Sequence, residues 1–210
     1  MSEYKTVKKQ AFFEYEDRRS RFIGAVIPIK TEAEAIEFIN RRRSETFGAR
    51  HNVYAYILRE GNIARYSDDG EPHSTAGMPT LDVIKKNGLV DVCVVTTRYF
   101  GGILLGTGGL VHAYTTAAKM AIETAGIAVM KRCFLCSVNC EYTDHKRLEQ
   151  VLCDNKAKVV DTEYTDKVTL KFTVPEPLYD TLLENTVDAM YGKVSVEILE
   201  SIWADSAEVE

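Results

Sequence analysis

The sequence predicts an α+β protein of two domains, and three observations carry that expectation. Strand-like apolar runs alternate along the chain with segments of helical i, i+3, i+4 periodicity. From residue 131 the order becomes regular: strand, helix, strand, strand, helix, strand. Ahead of that part, five of the thirteen glycines crowd into Gly101, Gly102, Gly106, Gly108 and Gly109. They lie between an apolar β-branched run and an Ala-rich helical pattern, the junction of a buried strand with a helix. A chain of 210 residues can bury a core in each of two domains.

Each element has a local reason. Residues 5–30 read as two strands joined by the charged turn Glu16-Asp17-Arg18-Arg19. Thr31 opens a helix with Glu34 three residues on, a capping-box pattern, and Ala35, Ile36 and Ile39 supply its apolar stripe up to about Glu45. His51–Leu58 and Ile63–Tyr66 form a hairpin around Glu60-Gly61-Asn62. After the polar loop from Ser67 to Gly77 comes a short helix, Pro79–Asn87, stopped by Gly88. Leu89–Thr97 has too few polar residues for a solvent face, which predicts a central strand. A helix then runs from Leu110 to Ala125, and Gly126 ends it.

The boundary falls near Lys131, giving domains 1–130 and 131–210. The second holds strands at Arg132–Glu141, Lys158–Tyr164, Lys167–Val174 and Lys193–Ile202, and helices at Asp144–Asn155 and Glu176–Tyr191. This is the ferredoxin-like β-α-β-β-α-β plan. The tail from Ala204 is expected to fray.

Charge is divided between the two parts. Residues 131–210 carry nine Lys and Arg against sixteen Asp and Glu, whereas residues 1–130 carry seventeen against fifteen. The acidic second domain is a poor phosphate-binding surface, so any RNA contact belongs to the first. Basic runs stand there at Arg18-Arg19-Ser20-Arg21 and Arg41-Arg42-Arg43, and a plain solvated face is the alternative for both. No apolar run reaches membrane-spanning length and no signal peptide is evident, so a cytoplasmic location is the expectation. Five cysteines, an odd number, suit reduced thiols. Cys133, Cys136 and Cys140 could suggest zinc, but strand alternation puts Cys133 on the opposite face from the other two.

Two polar clusters could carry chemistry. In Ser67-Asp68-Asp69-Gly70-Glu71, with Thr75 just after, three carboxylates could hold Mg²⁺ or receive a cation; a tight turn explains the same residues. The run Arg98, Tyr99, Gly101, Gly102, Gly106, Thr107, Gly108, Gly109 could bind an anion through backbone N–H groups and Arg98. Close strand–helix packing explains it equally well. No Walker lysine, G-x-G-x-x-G or nucleophile motif is present, and no cofactor is expected.

Taken together, Ser67-Asp-Asp-Gly-Glu-Pro-x-x-Thr75-Ala-Gly-x-Pro79 and Val94-Val-Thr-Thr-Arg98-Tyr-Phe-Gly-Gly through Tyr114 resemble the IMPACT (YigZ-like) family, bacterial branch. Ser20-Arg-Phe-Ile-Gly24 and Arg50-His51 match as well. His112 stands where many members carry a basic residue, and Ser74 where they often carry glycine. The resemblance implies an N-terminal α/β domain similar to the second domain of a ribosomal small-subunit protein. It implies a C-terminal domain similar to the last domain of elongation factor G. It also implies a non-catalytic regulatory or binding role in translation or stress response, since eukaryotic relatives regulate translation by binding a scaffold that activates a starvation-responsive kinase. RNA, a ribosome or a partner protein would be contacted, with no membrane partner and no reading of DNA sequence. The alternative is an enzyme acting on a phosphorylated small molecule or nucleotide, with Mg²⁺ at the acidic loop.

Overall fold

The computed structural model describes residues 3–206 and divides the chain into two compact units. One spans Tyr4–Ala128, and the other holds the described residues from Val129 together with Glu3. The elements are β1 (Glu3–Val7), β2 (Ala11–Asp17), β3 (Ser20–Pro28), α1 (Glu32–Glu45), β4 (His51–Leu58), β5 (Ile63–Ser67), α2 (Gly77–Lys86), β6 (Val92–Tyr99) and α3 (Gly106–Ala125). They continue with β7 (Ile127–Cys140), α4 (His145–Asp154), β8 (Lys158–Tyr164), β9 (Val168–Pro175), α5 (Tyr179–Ala189) and β10 (Val196–Asp205).

The N-terminal unit is built on the sheet β2-β3-β6-β4-β5, every pair antiparallel. β6 is its central strand, and all of Val92–Arg98 is buried. Ala35, Phe38 and Ile39 of α1 pack with Ala25, Tyr56, Cys93 and Val95 on one face. Leu81 and Ile84 of α2 and Ala118, Ala121 and Ile122 of α3 pack with Val26, Ala55 and Val94 on the other. Alternation along β6 therefore feeds two cores at once, which is why its sequence has no polar period.

Three expectations change. Residues 3–28 form three strands, β1, β2 and β3, rather than two. On α1 the buried stripe runs through Phe38, leaving Ile36 50% exposed. α3 begins at Gly106, four residues earlier than the apolar pattern suggests, because the first helical turn needs no apolar contact. Half of the capping box forms as expected, the Glu34 N–H donating to Thr31 Oγ1 at 3.2 Å, while Glu34 Oε2 reaches one residue further back and accepts from the Lys30 N–H at 2.7 Å.

In the C-terminal unit the strand order is β10-β7-β9-β8, antiparallel throughout. This is the ferredoxin-like arrangement, and the protein is α+β. Its core gathers Cys136, Val138 and Cys140 of β7, Leu148 and Leu152 of α4, Leu170 and Phe172 of β9, and Leu182 of α5. Cys133 is buried outside that cluster, as alternation requires, and burial pushes the Cys136 thiol up to about 11. Ala204 and Asp205 belong to β10; residues 207–210 lie outside the described residues.

Candidate functional site

The register of the first sheet brings one set of strand ends together. Arg21 of β3 stands opposite Tyr99 of β6, and Arg98 stands opposite His51 of β4. The loops entering β3 and β4, those leaving β6 and β5, and Tyr114 of α3 converge at this end.

At its centre is a buried carboxylate. Glu71 Oε1 accepts from Arg98 Nη1 at 2.7 Å and from the Tyr114 hydroxyl at 2.7 Å. The Glu71 and Arg98 side chains are 4% and 7% exposed. The guanidinium also lies over the rings of Phe22 and Phe100, at 5.6 and 5.5 Å. Arg98 Nε, however, is buried without a hydrogen-bond partner. Burial, and then the Glu71 charge and hydrogen bond, push the Tyr114 phenol far above its ordinary value, so it stays a neutral donor. Breaking such a pair strands a charge in low dielectric, which costs far more than the intact pair contributes.

The other two carboxylates are equally engaged. Asp68 Oδ1 accepts from the Ala76 and Gly77 N–H groups at 3.0 and 2.8 Å, and Oδ2 from the Ser74 N–H at 2.9 Å. It thereby caps α2, whose own N-cap residue, Ala76, has no side-chain acceptor. Gly77 is required there, because a Cβ would come within 2.7 Å of the Ser67 carbonyl.

Asp69, at φ +44°, accepts from the Asn52 N–H at 2.7 Å and from Arg43 Nη2 at 2.8 Å. Its own N–H donates to Ser67 Oγ at 3.1 Å. His51 Nδ1–H donates to the Asp69 carbonyl at 2.9 Å, which leaves Nε2 4.0 Å from Glu71 Oε1. Gly70, at φ +87°, passes beside the same imidazole. Thr75 is buried, its hydroxyl donating to the Pro72 carbonyl at 2.7 Å.

The cation-binding alternative for this loop thus meets carboxylates whose oxygens, apart from Glu71 Oε2, already accept from the protein's own donors. Among the described residues no group of three His, Cys, Asp or Glu is placed to hold a metal.

The glycine run divides into two parts. Gly101 is a close-packing glycine: a Cβ would fall 1.9 Å from the Arg19 carbonyl oxygen, and its N–H donates to Ser20 Oγ at 3.2 Å. Gly102 and Gly106 take φ of +87° and +73°. Gly109 packs on Leu105, whereas a Cβ on Gly108 would meet nothing within 4 Å. Thr107 and Gly108 are exposed in the first turn of α3. Arg98, expected to face an anion, is committed to Glu71. Tyr99 carries the Arg21 guanidinium over its ring at 4.5 Å.

Two residues central to this end, Tyr114 and Asn52, and one exposed residue in the loop that enters β4, Phe47, stand outside the sequence-derived set. Tyr114 joins the acidic loop to α3; in the sequence it is one more residue of an apolar helix stripe. Asn52 Oδ1 accepts from the Thr97 hydroxyl at 2.7 Å and lies 3.0 Å from Thr46 Oγ1. A lone Asn in an apolar strand was the available signal for it. Phe47 is 96% exposed in the loop before β4. Arg50, in the same loop, is also exposed.

Fold and site together define a two-unit α+β protein whose N-terminal unit is braced at one end by a buried carboxylate–guanidinium–phenol triad. Residues 18–122 match the family model described as Impact N-terminal domain, and residues 138–193 match Domain of unknown function (DUF1949). The chain belongs to the IMPACT family. It is 34% identical to IMPACT family member YvyE of Bacillus subtilis over 97% of this chain and 94% of that protein. With IMPACT family member YigZ of Escherichia coli it shares 32% identity over 76% of this chain and 80% of that one. Protein IMPACT of Xenopus laevis matches at 33% over 51% of this chain and 36% of its own length. A solved structure titled "Crystal structure of an hypothetical protein" aligns with a TM-score of 0.61 and 28% identity, covering 95% of this chain and 98% of that one. No helix among the described residues is long and apolar enough to cross a membrane.

Proposed function

We propose that this protein is a non-catalytic regulatory binding protein linked to translation, and that the braced end of its N-terminal unit contacts RNA or a ribosome-associated partner. The observation that carries this reading is the division of labour among the charged groups there. Asp68 and Asp69 spend both carboxylate oxygens, and Glu71 its Oε1, on internal donors and so hold loops in place. Arg18, Arg19 and Arg50 stand exposed at the same end, with no acidic partner among the described residues. A loop end held by internal hydrogen bonds and displaying such guanidinium groups suits binding of an anionic surface better than turnover of a substrate. The link to translation and stress comes with the family likeness, and fold alone would not supply it.

The test is co-sedimentation of the full chain with bacterial ribosomes as salt is raised. Retention at low salt, lost at high salt and weakened by replacing Arg18, Arg19 and Arg50 with Gln, is expected. No retention at the lowest salt overturns the reading.

A further inference from the structure

We infer that this loop end is a surface for unpaired RNA, with Phe47 and Phe100 as platforms for bases and Arg18, Arg19 and Arg50 as phosphate partners. The inference rests on the function proposed above and narrows it. β3, β6 and β4 are consecutive in the sheet and their ends are in register. Arg18 and Arg19 immediately precede β3, Phe100 follows β6, and Phe47 and Arg50 precede β4. Adjacent strands lie about 4.8 Å apart, so Arg19 before β3, Phe100 after β6 and Arg50 before β4 stand at neighbouring strand ends, with Phe47 in the loop that enters β4. Alternating guanidinium and aromatic groups is how single strands are held: rings stack on bases of any sequence, and cations track the backbone.

Phe100 also lies against the Arg98 guanidinium and Arg18 Nη1 donates to the Leu104 carbonyl at 3.5 Å, but no such contact accounts for Phe47. Phe47, 96% exposed, covers nothing, yet its loop is tied down by Thr46, whose hydroxyl donates to the Arg42 carbonyl at 2.6 Å. Arg18 and Arg19 take φ of +45° and +63°, a hairpin tip at which Asn-Gly is favoured and two arginines are a cost. Their charge is the reason to keep them there. A duplex offers no free base faces to such rings, so the fit is to unpaired RNA.

The experiment is fluorescence anisotropy of an unstructured mixed-sequence RNA oligonucleotide, and of an RNA duplex of equal length, titrated with the full chain at several salt concentrations. The single strand should bind more tightly than the duplex. Phe47→Leu should weaken it about tenfold with an unchanged melting temperature, and Phe47→Trp should restore it, because stacking needs a ring and not merely apolar area. Arg18→Gln with Arg19→Gln should flatten the slope of log affinity against log salt by about 0.7 for each phosphate left unneutralised. Equal binding of duplex and single strand, or a Phe47→Leu variant that binds like the wild type, overturns the inference. Ribosome retention without oligonucleotide binding overturns it and leaves the proposed function standing; absence of both overturns both.

Discussion

Arg98 and Glu71 meet at 2.7 Å inside the N-terminal unit, twenty-seven positions apart in sequence, and the Tyr114 hydroxyl shares the same carboxylate oxygen. The pair ties the loop after β5 to the central strand, and Tyr114 ties both to α3. Glu71→Ala strands the buried guanidinium and should destabilise by about 3–5 kcal/mol. Replacing both partners with apolar residues, Glu71→Leu with Arg98→Met, should recover much of that loss. Urea unfolding of the single and double variants checks this; additive losses would mean that the pair is not coupled.

Tyr114 gives the brace a pH dependence. Burial and Glu71 raise its phenol above the unfolded value near 10, so the folded state holds its proton more tightly. Its contribution is intact below pH 10 and declines as pH rises beyond that point. The stability difference between wild type and Tyr114→Phe should therefore be constant at neutral pH and shrink above pH 10. Thermal unfolding across that range measures it.

Asp68 acts as a remote helix cap, accepting three backbone N–H groups at the start of α2. Asp68→Ala should cost about 1–2 kcal/mol, and Asp68→Asn less. Because these oxygens are already used, Mg²⁺ with a nucleotide should leave the melting temperature of the wild type unchanged. A specific upward shift, lost in Asp69→Ala, would revive the enzymatic alternative.

Two glycines of one run should respond in opposite ways. Gly101→Ala drives a methyl into the Arg19 carbonyl and should destabilise the protein strongly. Gly108→Ala fills open space in a helical turn and should be neutral or stabilising by up to about 1 kcal/mol. If Gly108→Ala keeps its stability but loses ribosome retention, the bare backbone at this turn serves a ligand.

What could be read from the chain was what local chemistry decides. Thr31 and Glu34 mark a helix start because both capping groups lie within four residues of each other. The unbroken apolar run of β6 marks a strand covered on both faces. The alternation that separates Cys133 from Cys136 and Cys140 needs no partner to be recognised. The triad was not legible in that way: Glu71 looks like a turn residue and Tyr114 like core, and only tertiary folding joins them. Phe38 displaced Ile36 from the buried stripe of α1 because the sheet, not the helix, selects which flank is covered. Phe47 gave no periodic signal, since a residue that packs on nothing has no pattern to obey.

The position of β6 governs how this unit is assembled. β3 ends at Pro28 and β4 at Leu58, yet the strand that pairs with both is not complete until Tyr99. During synthesis the two earlier strands leave the exit tunnel with their facing edges open and only water to satisfy them. The sheet closes when the late strand slides between them, a non-local step that sets the pace of folding and exposes sticky edges meanwhile. Truncation before residue 99 should therefore yield not a smaller domain but an aggregating one.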